Sequence, residues 1–189
     1  MKKANSLILI ATLAGCVWTA QATTVIPPTF DQLVIQAEVI FQGNVTDVRS
    51  QWVGEGAQRH IVSYVTFKVE DVLKGNPGES YTIRMYGGTV DGESMGISDA
   101  PKFNVGDRDI LFVENNGSQV IPLVGLMHGR FHVKRNQAGQ DVVTSNEDEP
   151  LKNVTRLGQS ASSSSSATEA NLTAAEFKAA VKSKLQAPQ

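Results

Sequence analysis

Cysteine, aromatic residues and an excess of basic charge are all scarce in this sequence. Of its 189 residues one is cysteine, and Phe, Trp and Tyr together make up 6%. A domain formed by the residues after position 22 has no cysteine, so it holds together through its apolar core without disulfides. Lys and Arg number 17 against 19 Asp and Glu. This slight acidity argues against a nucleic-acid partner, which binds a clustered basic face.

Long apolar runs are also scarce, and the one present lies near the N-terminus. Lys2 and Lys3 precede an apolar stretch at 7–18, and the sequence Ala-Gln-Ala follows at 20–22. This is the pattern of a signal peptide with its small-x-small cleavage site. We therefore predict a signal peptide at 1–22 and export of the remainder to the periplasm or the extracellular space. No other run reaches the roughly 18 apolar residues of a membrane span.

The same leader contains an alternative processing signal. Residues 13–16, Leu-Ala-Gly-Cys, fit the lipobox pattern, in which Cys16 is lipidated and becomes the first residue of the mature chain. Its acyl chains would hold the protein on a membrane, since each buried CH₂ group contributes about 0.8 kcal/mol. Val17 and Trp18 follow, where polar residues are more usual. Two outcomes stay open: cleavage after Ala22, or an envelope lipoprotein with a structural or assembly role.

Residues 23–158 have the pattern of a small β-domain. Thr29 and Gln32 form a capping box for a short helix that ends near Ala37. Period-two alternation and Gly-rich turns then predict about five to seven short strands, which is typical of a small closed or nearly closed β-barrel. The strand candidates are 39–46, with a bulge at Gly43, then 61–70, 81–85, 110–113, 120–124 and 131–134, and a long irregular stretch lies at 87–106.

The composition changes sharply after Leu157. Residues 159–171 form a Ser-rich tract, which buries too little apolar surface to order itself and is predicted to be a flexible linker. Thr173 and Glu176 then form a second capping box, which predicts a C-terminal helix within 172–189. Apolar residues four apart share one face of this helix. It either docks on its own domain or binds a partner or a surface.

Two patterns suggest catalysis or metal binding, but both lack the required context. Residues 92–96 match the G-x-S-x-G nucleophile elbow around Ser94, which needs a strand before the serine and a helix after it. Residues 97–101 are a poor helix. The candidate partners are Asp107 or Asp109 and His128 or His132. The two histidines are four apart, which on a strand separates them by about 13 Å, too far to share an ion. We expect no catalytic residue, no metal and no cofactor.

Two isolated aromatic residues allow a further interpretation. Trp52 and Tyr64 line an oligosaccharide or peptide groove if their side chains lie together. Isolated aromatic side chains otherwise cover part of a core. An oligosaccharide-binding barrel is therefore a third candidate function, because OB-type barrels support such ligands.

Eight short pieces between Pro28 and Val133 occur together in a fixed order. They are PTFDQL (28–33), FQGNV (41–45), VEDVLKG (69–75), YGG (86–88), PKF (101–103), VGD (105–107), LFV (111–113) and VGLMHGRF (124–131). In these pieces the chain resembles a group of exported bacterial proteins that have an OB-like β-barrel and are similar in fold to the tissue inhibitors of metalloproteinases. The resemblance implies a mainly β, Greek-key, OB-like barrel at 23–158, with a short N-terminal helix and a tethered C-terminal helix.

The resemblance also implies a function. Members of the group resemble companions of exported matrixin-type metalloproteases, which implies a non-enzymatic, protein-binding inhibitor or chaperone. The animal inhibitors coordinate the protease zinc through an N-terminal, disulfide-bonded Cys, whereas cleavage after Ala22 starts this chain at Thr23. Because loops on a rigid barrel usually carry binding, we expect the contact surface to combine the loop 87–101 with an N-terminal arm. Its predicted contact residues are Thr23, Thr24, Val25, Gly87 and Gly88.

Overall fold

The computed structural model describes residues 26–98, 100–159 and 170–187. Within these ranges the chain is mainly β, with eight strands and two α-helices. The elements are α1 (Phe30–Gln36), β1 (Val39–Val53), β2 (His60–Lys74), β3 (Ser80–Tyr86), β4 (Gly88–Val90), β5 (Glu93–Met95), β6 (Arg108–Val113), β7 (Arg130–Arg135), β8 (Asp141–Thr144) and α2 (Ala174–Gln186). In these ranges, no helix combines the length and apolar content needed to cross a membrane. The predicted signal peptide, Cys16 and most of the predicted linker lie outside them.

Six of the strands form one antiparallel sheet in the order β3-β2-β1-β6-β7-β8, and β4 pairs with β5 in a separate hairpin. Both β1 and β2 contain 15 residues. β1 pairs with β2 along nearly its whole length and with β6 over residues 39–44. The β1–β2 ladder shifts register between Gln42 and Gly43, where the sequence predicts a bulge. Such shifts bend the strand, so one long strand serves both neighbours.

Two core clusters pack on opposite faces of the sheet. In β6, Ile110 and Phe112 belong to one cluster, and Leu111 and Val113 belong to the other. Both helices cover the first cluster. Burial on both faces explains why residues 110–113 of β6 form an uninterrupted apolar run instead of an alternating one, because successive side chains point to opposite faces.

The C-terminal helix α2 docks on its own domain. Phe177 is fully buried, and its ring lies 4.9 Å from that of Phe131 and 6.0 Å from that of Phe30 between centroids. Thr173 and Glu176 form the predicted capping box. Lys178 adds an ion pair with Asp71 at 2.9 Å. The sequence leaves open whether this helix docks on its own domain or binds a partner or a surface, and in the structure it docks on its own domain.

The N-terminal helix α1 follows the sequence prediction closely. Thr29 caps it, and Gln32 completes the capping box. Its C-terminal end is stabilised from β2, because Lys74 Nζ donates to the carbonyl oxygens of Val34 and Ile35 at 2.8 and 3.0 Å. These carbonyls have no partner within the helix. Burial lowers the pKa of Lys74.

The prediction of a strand at 120–124 is wrong. Pro122 has no N–H to donate to a ladder, and Leu123 meets β6 in a single bridge to Val113. The stretch 87–106 also differs from expectation, because it contains the β4–β5 hairpin. β8 was not predicted.

The segment that follows β6 packs against β3 without forming a strand. The Tyr86 N–H donates to the carbonyl oxygen of Val120 at 2.8 Å. Asn116 Nδ2 donates to the carbonyl oxygen of Thr82, also at 2.8 Å. The irregular segment thus connects β3 to β6 through hydrogen bonds that a regular strand would otherwise supply.

Candidate functional site

A cavity of about 360 Å³ opens beside Gly88, and we call it the Gly88 cavity. It is bounded by β1, β2 and the end of β3, by the β4–β5 hairpin, and by Ile97 and residues 100–103. Most side chains around it are apolar: Val48, Val65, Met85, Met95, Ile97, Ala100, Pro101 and Phe103. Such concave apolar sites, at the lower end of the usual range of about 300–1,000 Å³, are the common form of a ligand site.

Gly87 and Gly88, two of the predicted contact residues, both line this cavity. Their φ angles are +97° and +137°, which residues with a side chain rarely adopt. A Cβ atom on Gly88 would lie 2.3 Å from Ser50 Oγ and 2.4 Å from Ser63 Oγ. On Gly87 it would lie 2.7 Å from the carbonyl oxygen of Met95. Glycine is needed here because the chain entering β4 passes directly over β1 and β2.

The serine and threonine hydroxyl groups around the cavity are hydrogen-bonded to protein atoms. Ser50 Oγ and Ser63 Oγ lie 2.8 Å apart, and Ser63 Oγ donates to the carbonyl oxygen of Gly87 at 2.6 Å. Thr89 Oγ1 and Ser94 Oγ lie 2.8 Å apart across the β4–β5 hairpin. Because these hydroxyl groups already have partners within the protein, they offer few free hydrogen-bonding groups to a ligand in the cavity.

A charged cleft of about 620 Å³, the Arg130 cleft, adjoins the cavity. Arg130 and Asp109 are 2% and 0% exposed, and Arg130 Nη2 lies 3.0 Å from Asp109 Oδ2. The same Nη2 donates to Asp107 at 2.8 Å, and Nη1 donates to the carbonyl oxygen of Lys102 at 2.7 Å. The guanidinium carbon lies 3.9 Å from the ring centroid of Phe103. Arg130 therefore fixes β6, β7 and the backbone at the edge of the Gly88 cavity to one another.

His132 extends this charged network to the rim of the cleft. Its Nδ1 lies 2.7 Å from Asp109 Oδ1, and its Nε2 lies 3.7 Å from Asp148 Oδ1. Lys134 Nζ donates to the same Asp148 oxygen at 2.5 Å. That hydrogen bond is the main reason why the pKa of Asp148 is lowered.

A small third cleft of about 50 Å³ lies where the described chain begins, and we call it the Pro27 cleft. Pro27 and Pro28 line it together with His128 and Gly158. Burial lowers the pKa of His128, against the opposing effect of the nearby Glu147 carboxylate.

The three sites share walls and form one continuous surface, which we call the joined surface. The Pro27 cleft and the Arg130 cleft share Arg130, Asn146 and Glu147. The Arg130 cleft and the Gly88 cavity share Ile97, Ala100 and Lys102. Residues far apart in sequence thus line three adjoining clefts.

Of the predicted contact residues, the structure describes two. Gly87 and Gly88 lie at one end of the joined surface. Thr23, Thr24 and Val25 lie outside the described residues, as does Cys16, but the described chain begins at Ile26, next to the Pro27 cleft. Ile26 is 84% exposed. The described chain therefore begins at the opposite end of the joined surface from the glycines.

The structure separates the residues of the hypothetical serine-hydrolase site. Asp109 and His132 are hydrogen-bonded to each other, but Ser94 lines the Gly88 cavity and pairs with Thr89. Ser94 also lies in the second strand of a hairpin, whereas the nucleophile elbow needs a strand-to-helix turn. His128 lies in a short 3₁₀ helix and His132 lies in β7. Within the described ranges no cluster of three or more His, Cys, Asp or Glu side chains is arranged to hold a metal ion.

Trp52 and Tyr64 lie on opposite faces of the β1–β2 hairpin. Trp52 pairs with Ile61, which is three residues from Tyr64 in a ladder of constant register. Because successive side chains alternate between faces, residues an odd number apart point in opposite directions. The two aromatic side chains therefore do not form the common groove of the oligosaccharide interpretation.

The sequence analysis missed the Arg130 cleft. The sequence signal consists of two pairs of ionisable residues, each pair two positions apart. Asp107 and Asp109 precede the apolar run of β6, and Arg130 and His132 lie at the start of β7. Neither pair alone shows that the two pairs meet, since this depends on Asp109 pairing with His132 across two strands.

The sequence matches no protein-family model, and a search of curated proteins finds no match.

Proposed function

We propose that this chain is an exported, non-enzymatic protein-binding module with an OB-like barrel. We further propose that its partner is a secreted metalloprotease, which it inhibits or chaperones. The observation that carries the proposal is the joined surface. It runs through adjoining clefts from the point where the described chain begins to Gly87 and Gly88, so a partner that follows these clefts can contact both ends.

The barrel part of the proposal rests on how the second core cluster is enclosed. β1 pairs with β2 on one edge and β6 on the other, β2 pairs with β3, and the segment after β6 hydrogen-bonds to β3. Strands and segment together surround Phe41, Phe67 and Leu111. An OB-like barrel, with one side completed by irregular chain, accounts for this arrangement.

The exposed chemistry of the joined surface fits a protein partner. Ile97 is 44% exposed beside the Gly88 cavity, and Ile26 is 84% exposed beside the Pro27 cleft. The charged Arg130 cleft lies between them. Protein interfaces combine apolar contacts with polar and charged groups in this way, and the rigid Arg130 network keeps the surface in one shape before binding, which reduces the entropy cost of association.

The proposal is tested by binding and inhibition of a matrixin-type metalloprotease catalytic domain from the same organism. We compare a chain that begins at Thr23 with one that begins at Ile26. If the arm contributes to the contact, its removal weakens binding by about tenfold or more.

The matched surface variants are Ile97→Asp and Val72→Asp, since both side chains are 44% exposed but only Ile97 lies on the joined surface. Ile97→Asp weakens binding and Val72→Asp does not. If the folded chain that begins at Thr23 neither binds nor inhibits the protease, the proposed partner is wrong. Equal effects of the two Asp variants would contradict the proposed surface.

A further inference from the structure

The Gly88 cavity is almost free of charge. Among the described residues that line it, Lys102 is the only ionisable cation or carboxylate. The hydroxyls of Ser50, Ser63, Thr89 and Ser94 are already hydrogen-bonded to one another or to the backbone. A polar or charged group entering the cavity would exchange its water for few new hydrogen bonds, which is unfavourable. An apolar group suits these walls best.

Lys102 stands at the wall between the cavity and the Arg130 cleft. Its backbone is held in place, because Arg130 Nη1 donates to its carbonyl oxygen at 2.7 Å. Its side chain is exposed, and no ion pair or hydrogen bond of its ammonium group occurs with another described residue. The other cations of the cleft differ, since Arg130 is paired with Asp107 and Asp109, and Lys134 with Asp148.

We infer that the partner presents an apolar side chain to the Gly88 cavity and, beside it, an acidic side chain to Lys102. This inference rests on the proposed function and adds the recognition chemistry of the partner segment. The two requirements are spatially linked, because Lys102 lines the same cavity that receives the apolar group. A short, exposed segment with adjacent apolar and acidic residues satisfies both.

The glycine at position 96 allows the cavity to be blocked selectively. Gly96 lines the cavity, and a Cβ atom placed on it meets no atom within 4 Å. Gly96→Phe adds a ring at the opening, whereas Gly96→Ala is the matched control that leaves the opening nearly unchanged. Ser94→Phe, on the facing hairpin, is a second blocking variant in case the first does not fold.

The test uses random linear peptides displayed on phage and selected on the chain that begins at Thr23. Enriched peptides should share an apolar residue adjacent to Asp or Glu. Gly96→Phe should weaken binding of an enriched peptide by about tenfold or more, and Gly96→Ala should leave it within about twofold. Lys102→Glu should shift the enriched partner residue from acidic to basic, whereas Lys68→Glu, an exposed position outside the joined surface, should not.

The outcomes separate this inference from the function on which it rests. Enriched peptides that lack the apolar–acidic pair, or that bind Gly96→Phe normally, overturn the inference while protein binding stands. Failure to enrich any peptide also overturns it, and protease binding by the same preparation then shows that the module still works. Loss of both overturns the proposed function. Circular dichroism and thermal melting of each variant establish that the folded state is compared.

Discussion

Arg130 lies on β7 with its guanidinium group 3.0 Å from the carboxylate of Asp109 on β6, although the two side chains are 2% and 0% exposed. A charge pair removed from water in this way costs a large desolvation energy, which the direct contacts offset only when geometry and additional hydrogen bonds are good. Asp107, the Lys102 carbonyl and the Phe103 ring supply those additional contacts. The pair therefore fixes the middle of the joined surface.

Arg130→Met should destabilise the fold strongly. The substitution leaves Asp109 buried without its cation, which costs about 3–5 kcal/mol in the free energy of unfolding. Urea denaturation measures the change. Arg49→Met is the control, because the Arg49–Asp47 pair has a short contact of 2.6 Å but Arg49 is 80% exposed, and such surface pairs contribute at most about 1 kcal/mol. Equal effects of the two substitutions would contradict this account of the cluster.

Phe177→Ala should show that α2 is part of the core. Phe177 is fully buried among Phe30, Phe112 and Phe131, and truncation of such a ring costs about 3–5 kcal/mol. Leu185→Ala, in the same helix but 38% exposed, should cost much less. Both are measured by urea denaturation. A small effect of Phe177→Ala would mean that the helix is bound only loosely.

Gly88→Ala should lower the free energy of unfolding by more than the strain of a positive φ angle alone. Gly88 and Gly92 both have positive φ, but only Gly88 brings an added Cβ into collision, whereas Gly92 has no atom within 4 Å. Gly92→Ala therefore reports the cost of a side chain at a positive φ angle without a collision. We expect Gly88→Ala to exceed it by about 1–3 kcal/mol, the usual cost of overpacking. If thermal unfolding shows the same loss of stability for both variants, the chain does not pass as closely over β1 and β2 at Gly88 as it does in the structure.

The free energy of unfolding should decrease as the pH is lowered through a range that the pKa of His128 sets. Burial lowers the pKa of His128 in the folded state, so below its unfolded value of about 6.5 the unfolded chain binds more protons. The stability that the neutral, partly buried His128 contributes is fully present above pH 6.5, and it is lost as the pH falls from there toward the pKa of the folded state. Urea denaturation of the wild type and His128→Gln, from pH 8 to pH 5, measures it. The difference between the two proteins should change below pH 6.5, and a constant difference would contradict the prediction.

Local sequence signals predicted the elements that depend on local physics. Both capping boxes, at Thr29 and Thr173, are present, because a cap requires residues only three apart. The apolar alternation of β2 and the run of β6 also correspond to strands. The stretch 120–124 misled because Ile121, Leu123 and Val124 are buried without forming a strand, and burial alone does not distinguish a strand from an irregular segment.

The sequence indicates only part of the candidate site. Gly87 and Gly88 were chosen because loops on a rigid scaffold carry binding, and they do line the Gly88 cavity. The Arg130 cleft depends on which strands become neighbours, and the pairing of β6 with β7 joins residues 19 to 23 positions apart. No local pattern contains that information, so the charged centre of the joined surface became visible only with the fold.

Site-specific photo-crosslinking in the organism that makes this chain tests the central claim most directly. A photo-reactive residue is placed at Ile97, on the joined surface, or at Val72, which is equally exposed at 44% but lies elsewhere. The account predicts a covalent adduct with one protein from Ile97, identified as a secreted metalloprotease by mass spectrometry, and no such adduct from Val72. The same adduct from both positions, or none from Ile97, would contradict the claim that this surface binds a protein partner.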